Sequence, residues 1–80
     1  LPLKLVFLGR LEDAAGGPER EVATAASIAD VLAGLDPELA AALGADRVKL
    51  AVNGMLFHDR EAPVLKDGDE IAFLPPVSGG

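Results

Sequence analysis

The feature that most constrains this 80-residue chain is the pair Asn53-Gly54, set between the apolar runs 48–52 and 55–57. A two-residue loop of this composition favours a type I′ turn, because both central residues need positive φ and Asn and Gly tolerate it best. The turn dictates the register of a hairpin. Val52 then faces Met55 and Leu50 faces Phe57 on one side of the sheet, while Ala51 faces Leu56 and Lys49 faces His58 on the other. The first set is expected in the core, with Met55 serving only for packing.

The rest of the chain supplies partners for that hairpin. Residues 3–8 read as a strand, with Leu3, Leu5 and Phe7 alternating with Lys4, Val6 and Leu8, and Gly9 ends it. Residues 10–18 form a loop around Gly16-Gly17-Pro18 with one helical turn over 11–15. It leads into a short polar strand over 19–24 that closes a long-looped hairpin with the first. Ser27, followed three residues later by Asp30, has the spacing of a helix N-cap and its reciprocal acid. Ile28, Val31, Leu32 and Leu35 recur behind it at helical intervals. Asp36-Pro37-Glu38 starts a second short helix that Gly44 stops. Residues 66–69 are a turn, 70–74 the last strand with Ile71 and Phe73 inward, and Pro75-Pro76 ends ladder pairing.

That order of elements, without repeats or linkers, suits an α+β domain over residues 1–74, a mixed sheet with helices on one face. The domain has to be efficient. A chain this short buries only about 60% of its unfolded surface. It carries no cysteine for a disulfide or thiolate site. A half-apolar composition with three Phe and no Trp or Tyr predicts an aliphatic core.

Charge and hydropathy exclude several classes of function. Thirteen acidic residues against seven basic ones give a formal net charge of -6, the opposite of what counterion release from nucleic acid requires. No run approaches the roughly 18 apolar residues of a membrane span, and no basic-then-apolar leader opens the chain. A soluble, cytoplasmic protein is expected. Cysteine nucleophiles, a phosphate-binding Gly-Lys-Ser/Thr loop and His or Cys pairs at metal spacing are all missing, so no metal site is expected. His58 reads as a surface strand residue, and Asp67, Asp69 and Glu70 as a solvated turn that lacks the further ligands of a calcium loop.

Two features are left for function. If the first and last strands pair side by side, Leu8, Leu56 and Leu74 project from the outer face of the sheet near the end from which the tail emerges. An exposed apolar patch of that kind marks a protein partner, although scattered surface leucines are also ordinary. The tail Pro75-Pro76-Val77-Ser78-Gly79-Gly80 has no role in a core. Two prolines stiffen its stem, and two glycines without side chains offer a carboxylate to a narrow active site. A frayed terminus would look similar.

The segment 67–80, DGDEIAFLPPVSGG, closely resembles the C-terminus of the MoaD-type small subunits of molybdopterin synthase, in the ubiquitin-like sulfur-carrier family. Lys4-Leu5-Val6-Phe7-Leu8-Gly9-Arg10-Leu11 with Ala14-Ala15-Gly16 resembles that family's first strand and loop, and Val52-Asn53 its central hairpin. Glu12 stands where many relatives carry Arg, which puts a basic contact there in doubt. The resemblance implies a β-grasp fold and a tail, residues 75–80, that threads into partner enzymes. It further implies that an E1-like, MoeB-like adenylating enzyme uses ATP to activate Gly80. A sulfur donor then converts Gly80 to a thiocarboxylate, which a MoaE-like large subunit directs to cyclic pyranopterin monophosphate. The catalytic side chains are expected on those partners, and no cofactor is expected on this chain.

Other roles share these residues. A sulfur carrier for thiazole synthesis has the same double glycine, with a weaker match at Phe73-Leu74-Pro75-Pro76-Val77. A ubiquitin-like modifier joined to lysines through Gly80 has an almost identical tail. A plain interaction domain with an inert tail is the third.

Overall fold

A computed structural model describes residues 1–76. The chain runs β1 (Leu3–Phe7), α1 (Leu11–Ala15), β2 (Glu19–Val22), α2 (Ile28–Ala33), α3 (Pro37–Leu43), β3 (Lys49–Val52), β4 (Met55–Phe57) and β5 (Glu70–Leu74). The five strands make one sheet in the order β2-β1-β5-β3-β4. β1 and β5 are parallel, and the other neighbours are antiparallel.

The hairpin forms in the expected register, with Leu50 opposite Phe57, Ala51 opposite Leu56 and Val52 opposite Met55. Its turn has Asn53 at φ 50° and Gly54 at φ 85°, the two positive values that a type I′ turn requires. Ser27 caps α2 by accepting from the Asp30 amide at 3.2 Å, and Asp36 caps α3 by accepting from the Leu39 amide at 3.4 Å. Each cap satisfies an amide that the first turn of a helix leaves without a partner.

One face of the sheet carries the core. Leu3, Leu5 and Phe7 of β1, Ile71 and Phe73 of β5, and Leu50 and Val52 of β3 are buried together with Leu11, Ile28, Val31, Leu39 and Leu43 from the helices. Phe7 and Phe73 lie side by side in the parallel pair and stack with ring centroids 6.0 Å apart, worth about 1 kcal/mol beyond the area they bury. No helix among the described residues is long and apolar enough to cross a membrane.

Three expectations need correcting. β1 ends at Phe7 rather than Leu8, although the Leu8 amide still donates to the Phe73 carbonyl at 3.1 Å. β2 ends at Val22 rather than Thr24, because Val22 pairs with Leu3, the first residue of β1, and the ladder stops there. Thr24 instead donates its hydroxyl to the Leu1 carbonyl at 2.8 Å. Met55, expected in the core, is 64% exposed. It sits on β4, a three-residue edge strand, beside the turn and outside the core cluster.

Candidate functional site

The outer face of the sheet can be read row by row from the strand register. One row holds Glu21, Lys4 and Glu70, and the next holds Glu19, Val6, Ala72, Ala51 and Leu56. Lys4 bridges the charged side, with Nζ 3.3 Å from Glu19 and 3.9 Å from Glu70. The last row has Leu74 opposite Lys49, with Leu8 continuing β1 beside it. The face therefore passes from charged to apolar toward the end where β1 and β5 finish. Parallel pairing is the cause, since it brings both C-terminal ends to the same edge.

Leu8 is 40% exposed and Leu56 58% exposed, while Leu74 is half-buried. The register puts Leu8 and Leu74 on neighbouring strands. Leu56 stands two strands away from β5, across Ala51. Ala51 points to this outer side yet is only 8% exposed. With Val6 and Ala72 it fills the middle of a band that connects the three leucines through small or half-buried apolar side chains.

The stem of the tail is seated at the same edge. Gly9 follows Leu8 with φ 55°, and a Cβ placed on it would lie 2.8 Å from Cγ of Pro75. Gly9 thus supplies both a left-handed turn and the gap into which the proline ring packs. Pro75 and Pro76 are half-buried. Val77, Ser78, Gly79 and Gly80, assigned to the threading tail and its reactive end, lie outside the described residues.

The loop after Gly9 turns straight into α1, whose Gly16 and Gly17 amides both donate to the Glu12 carbonyl at 3.0 Å. The Glu12 side chain is exposed in the first turn.

Two polar clasps escaped sequence reasoning. Arg60 reaches back to the end of α3 and the turn that feeds β3, donating to the carbonyls of Leu43 at 2.7 Å, Ala45 at 2.9 Å and Val48 at 2.7 Å. A fork of guanidinium donors suits several carbonyls at a helix C-terminus. Nothing local in residues 57–63 signals it, since the acceptors lie 12 to 17 positions away. The second clasp joins the hairpin turn to the start of β5. Asn53 Nδ2 donates to Asp69 Oδ1 at 3.0 Å, and the Glu70 amide donates to Asn53 Oδ1 at 3.0 Å. Asp69 Oδ2 accepts from the Lys66 amide at 2.8 Å. The Asn53 hydrogen bond above all, then the Lys66 amide and the Lys66 charge, hold the Asp69 carboxyl below its ordinary value of 3.8.

A depression on the helical side, about 390 Å³, is lined by residues such as Ile28, Leu32, Gly44 and Arg60. The Arg60 guanidinium in it is already bonded to carbonyls. Among the described residues no three His, Asp or Glu side chains converge as a metal would need.

Known proteins resemble this chain in sequence and in fold. The profile of the ThiS family matches residues 5–80. The molybdopterin synthase sulfur carrier subunit of Haemophilus influenzae is 40% identical over 62 residues, covering 78% of this chain and 74% of that protein. The subunit of the same name from Chlamydomonas reinhardtii is 31% identical over the full length of both. Among solved structures, small archaeal modifier protein 1 (SAMP1) from Methanosarcina acetivorans superposes with a TM-score of 0.79 at 31% identity, over 98% of this chain and 95% of that one. Subunits 1 and 2 of molybdopterin-converting factor from Helicobacter pylori were solved as a complex that matches with a TM-score of 0.70 at 29% identity, over all of both chains. The fold is the ubiquitin-like β-grasp that the resemblance implied, and by profile, sequence and fold together the chain belongs to the ThiS family.

Proposed function

We propose that this chain is the sulfur-carrying small subunit of a molybdopterin synthase, loaded and discharged at Gly80. The observation that carries the reading is the seat of Pro75 on Gly9, which launches the tail from the sheet edge where Leu8 and Leu74 present apolar surface. The sequence relatives from Haemophilus and Chlamydomonas bear the corresponding name, and the Helicobacter complex supports a large-subunit partner.

The chemistry follows from what a carboxylate lacks. It is a poor electrophile, and oxide is a poor leaving group. An oxygen of the Gly80 carboxylate attacks the α-phosphorus of ATP on an E1-like adenylating enzyme, and pyrophosphate leaves. A sulfur nucleophile from a donor then adds to the acyl carbon of the adenylate, and AMP leaves. The product is a thiocarboxylate at Gly80, whose sulfur is a better nucleophile than carboxylate oxygen. In the synthase that sulfur bonds to a carbon of cyclic pyranopterin monophosphate as an oxygen substituent of that carbon leaves as water, and a further water cleaves the acyl–sulfur bond, leaving sulfur on the pterin and restoring the carboxylate.

The outer-face leucines and the tail of this chain then have docking and presenting roles. Ordering the six tail residues costs about 1 to 2 kcal/mol each, less at Pro75 and Pro76 because their φ is already restricted. Leu8, Leu56 and Leu74 buried at a partner contribute on the order of 5 kcal/mol against that cost. The glycines keep the reactive end narrow enough for an enclosed site.

Intact-mass measurement tests this after incubation with an adenylating enzyme, ATP and a sulfur source. The expected product has one terminal oxygen replaced by sulfur. No change in mass, with an enzyme active on another carrier, refutes the reading. A modifier role is the second reading, favoured by the SAMP1 superposition. It predicts conjugates on a gel that disappear when Gly80 is deleted.

A further inference from the structure

Asn-Gly is the dipeptide most prone to succinimide formation, because glycine offers no side chain to hinder attack by its amide nitrogen. Here the pair forms the exposed tip of the β3–β4 turn. We propose that Asn53 is a latent deamidation site, kept unreactive in the folded protein by the clasp to Asp69 and Glu70 and released when that clasp opens.

In the reaction the Gly54 nitrogen bonds to Cγ of Asn53 and Nδ2 departs as ammonia, carrying the displaced amide proton. Water then opens the five-membered ring at either carbonyl, leaving aspartate or isoaspartate. The net change is one water consumed and one ammonia released, with no oxidant or cofactor. Attack requires the Asn53 side chain to swing its carbonyl carbon onto the Gly54 nitrogen. The fold opposes that swing at both ends of the amide, through Nδ2 on Asp69 Oδ1 and Oδ1 under the Glu70 amide, each at 3.0 Å. The backbone is tied as well, since the Asn53 amide donates to the Glu70 carbonyl at 2.8 Å.

The products cannot rebuild the clasp. Aspartate at position 53 replaces the donor facing Asp69 with a second carboxylate, so a hydrogen bond becomes a like-charge contact. Isoaspartate adds a backbone carbon to a two-residue turn whose geometry sets the hairpin register. Either change loosens the joint between the β3–β4 hairpin and β5, so the modification marks a protein that has already opened there.

The composition makes the test clean. Asn53 is the sole asparagine and the chain has no glutamine, so any deamidation mass gain on the intact protein reports this one residue. Wild type, wild type unfolded in urea and Asp69→Ala are incubated at mildly alkaline pH and sampled by intact mass, with circular dichroism recording the fold. The unfolded chain is expected to deamidate fastest, folded wild type slowest, and folded Asp69→Ala severalfold faster than wild type. Folded wild type reacting as fast as the urea-unfolded chain overturns the proposal, as does a folded Asp69→Ala that reacts no faster than wild type. Should Asp69→Ala prove unfolded, the comparison of wild type with and without urea still decides whether the fold protects Asn53, and the Lys66→Pro variant, which removes the amide donor to Asp69, serves as the second way to loosen the clasp.

Discussion

Asn53 and Asp69, sixteen residues apart, are joined by a 3.0 Å hydrogen bond from the Asn53 amide to the Asp69 carboxylate. The bond links the tip of the β3–β4 hairpin to the residue that precedes β5, the strand that carries the tail. Asp69 also organises its own turn through the Lys66 amide, and its carbonyl accepts from the Lys4 amide at 3.0 Å. One residue thereby ties three parts of the chain into one corner, its carboxylate holding the hairpin tip and the Lys66–Asp69 turn and its main-chain carbonyl holding the first strand.

That geometry sets a pH dependence. The Asp69 carboxyl is held below 3.8, chiefly by Asn53. A depressed value in the folded state means that the unfolded chain takes up the proton first, so the contribution is complete above the ordinary carboxylate range and is lost as pH falls through the folded value. Thermal melts taken downward from neutral pH are expected to show wild type losing stability below the ordinary range more steeply than Asp69→Ala. Parallel curves for the two proteins contradict the assignment.

Gly9 has little freedom to change. Its φ of 55°, and a Cβ that would lie 2.8 Å from Cγ of Pro75, leave no place for a branched side chain. Gly9→Val is expected to cost about 1 to 3 kcal/mol in chemical denaturation, from backbone strain together with the displaced proline. The same variant is expected to slow adenylation of the tail by more than its stability loss explains, because the launch direction of Pro75 changes.

Arg60 is expected to matter for stability. Arg60→Ala removes donors from three carbonyls at once, and the loss is on the order of 2 kcal/mol. Arg60→Lys, with a single ammonium in place of the planar fork, is expected to recover less than half of it. Denaturant midpoints for the three proteins check the order.

Leu74→Asp separates folding from docking. Leu74 is half-buried on the outer face, away from the Phe7–Phe73 stack. The variant is expected to keep its circular dichroism spectrum while binding a synthase large subunit at least about tenfold more weakly, the equivalent of roughly 1.4 kcal/mol at the interface. Unchanged affinity removes the leucine band from the docking surface.

Much of the fold was legible because its signals are local. Asn53-Gly54 declares its turn, Ser27 and Asp36 their caps, and the alternation of Leu3, Leu5 and Phe7 the buried face of β1, each within a window of a few residues. Errors fell where a local pattern met a boundary set by something distant. The period that predicts Met55 inside is correct as a direction, but the core does not extend to the edge strand. Residues 23 and 24 have strand-compatible chemistry and no neighbouring strand to pair with.

The sequence by itself determined which segments become strands and helices, the hairpin register, and a tail that no core could use. These follow from backbone sterics and hydrophobic periodicity, which act between near neighbours. Only the tertiary structure decided that β1 and β5 lie parallel and finish together, that Gly9 receives Pro75, that Arg60 closes α3 and that Asn53 holds Asp69. Those contacts join positions 12 to 66 residues apart. They depend on shape and hydrogen-bond geometry that exist only once the sheet has brought the partners together.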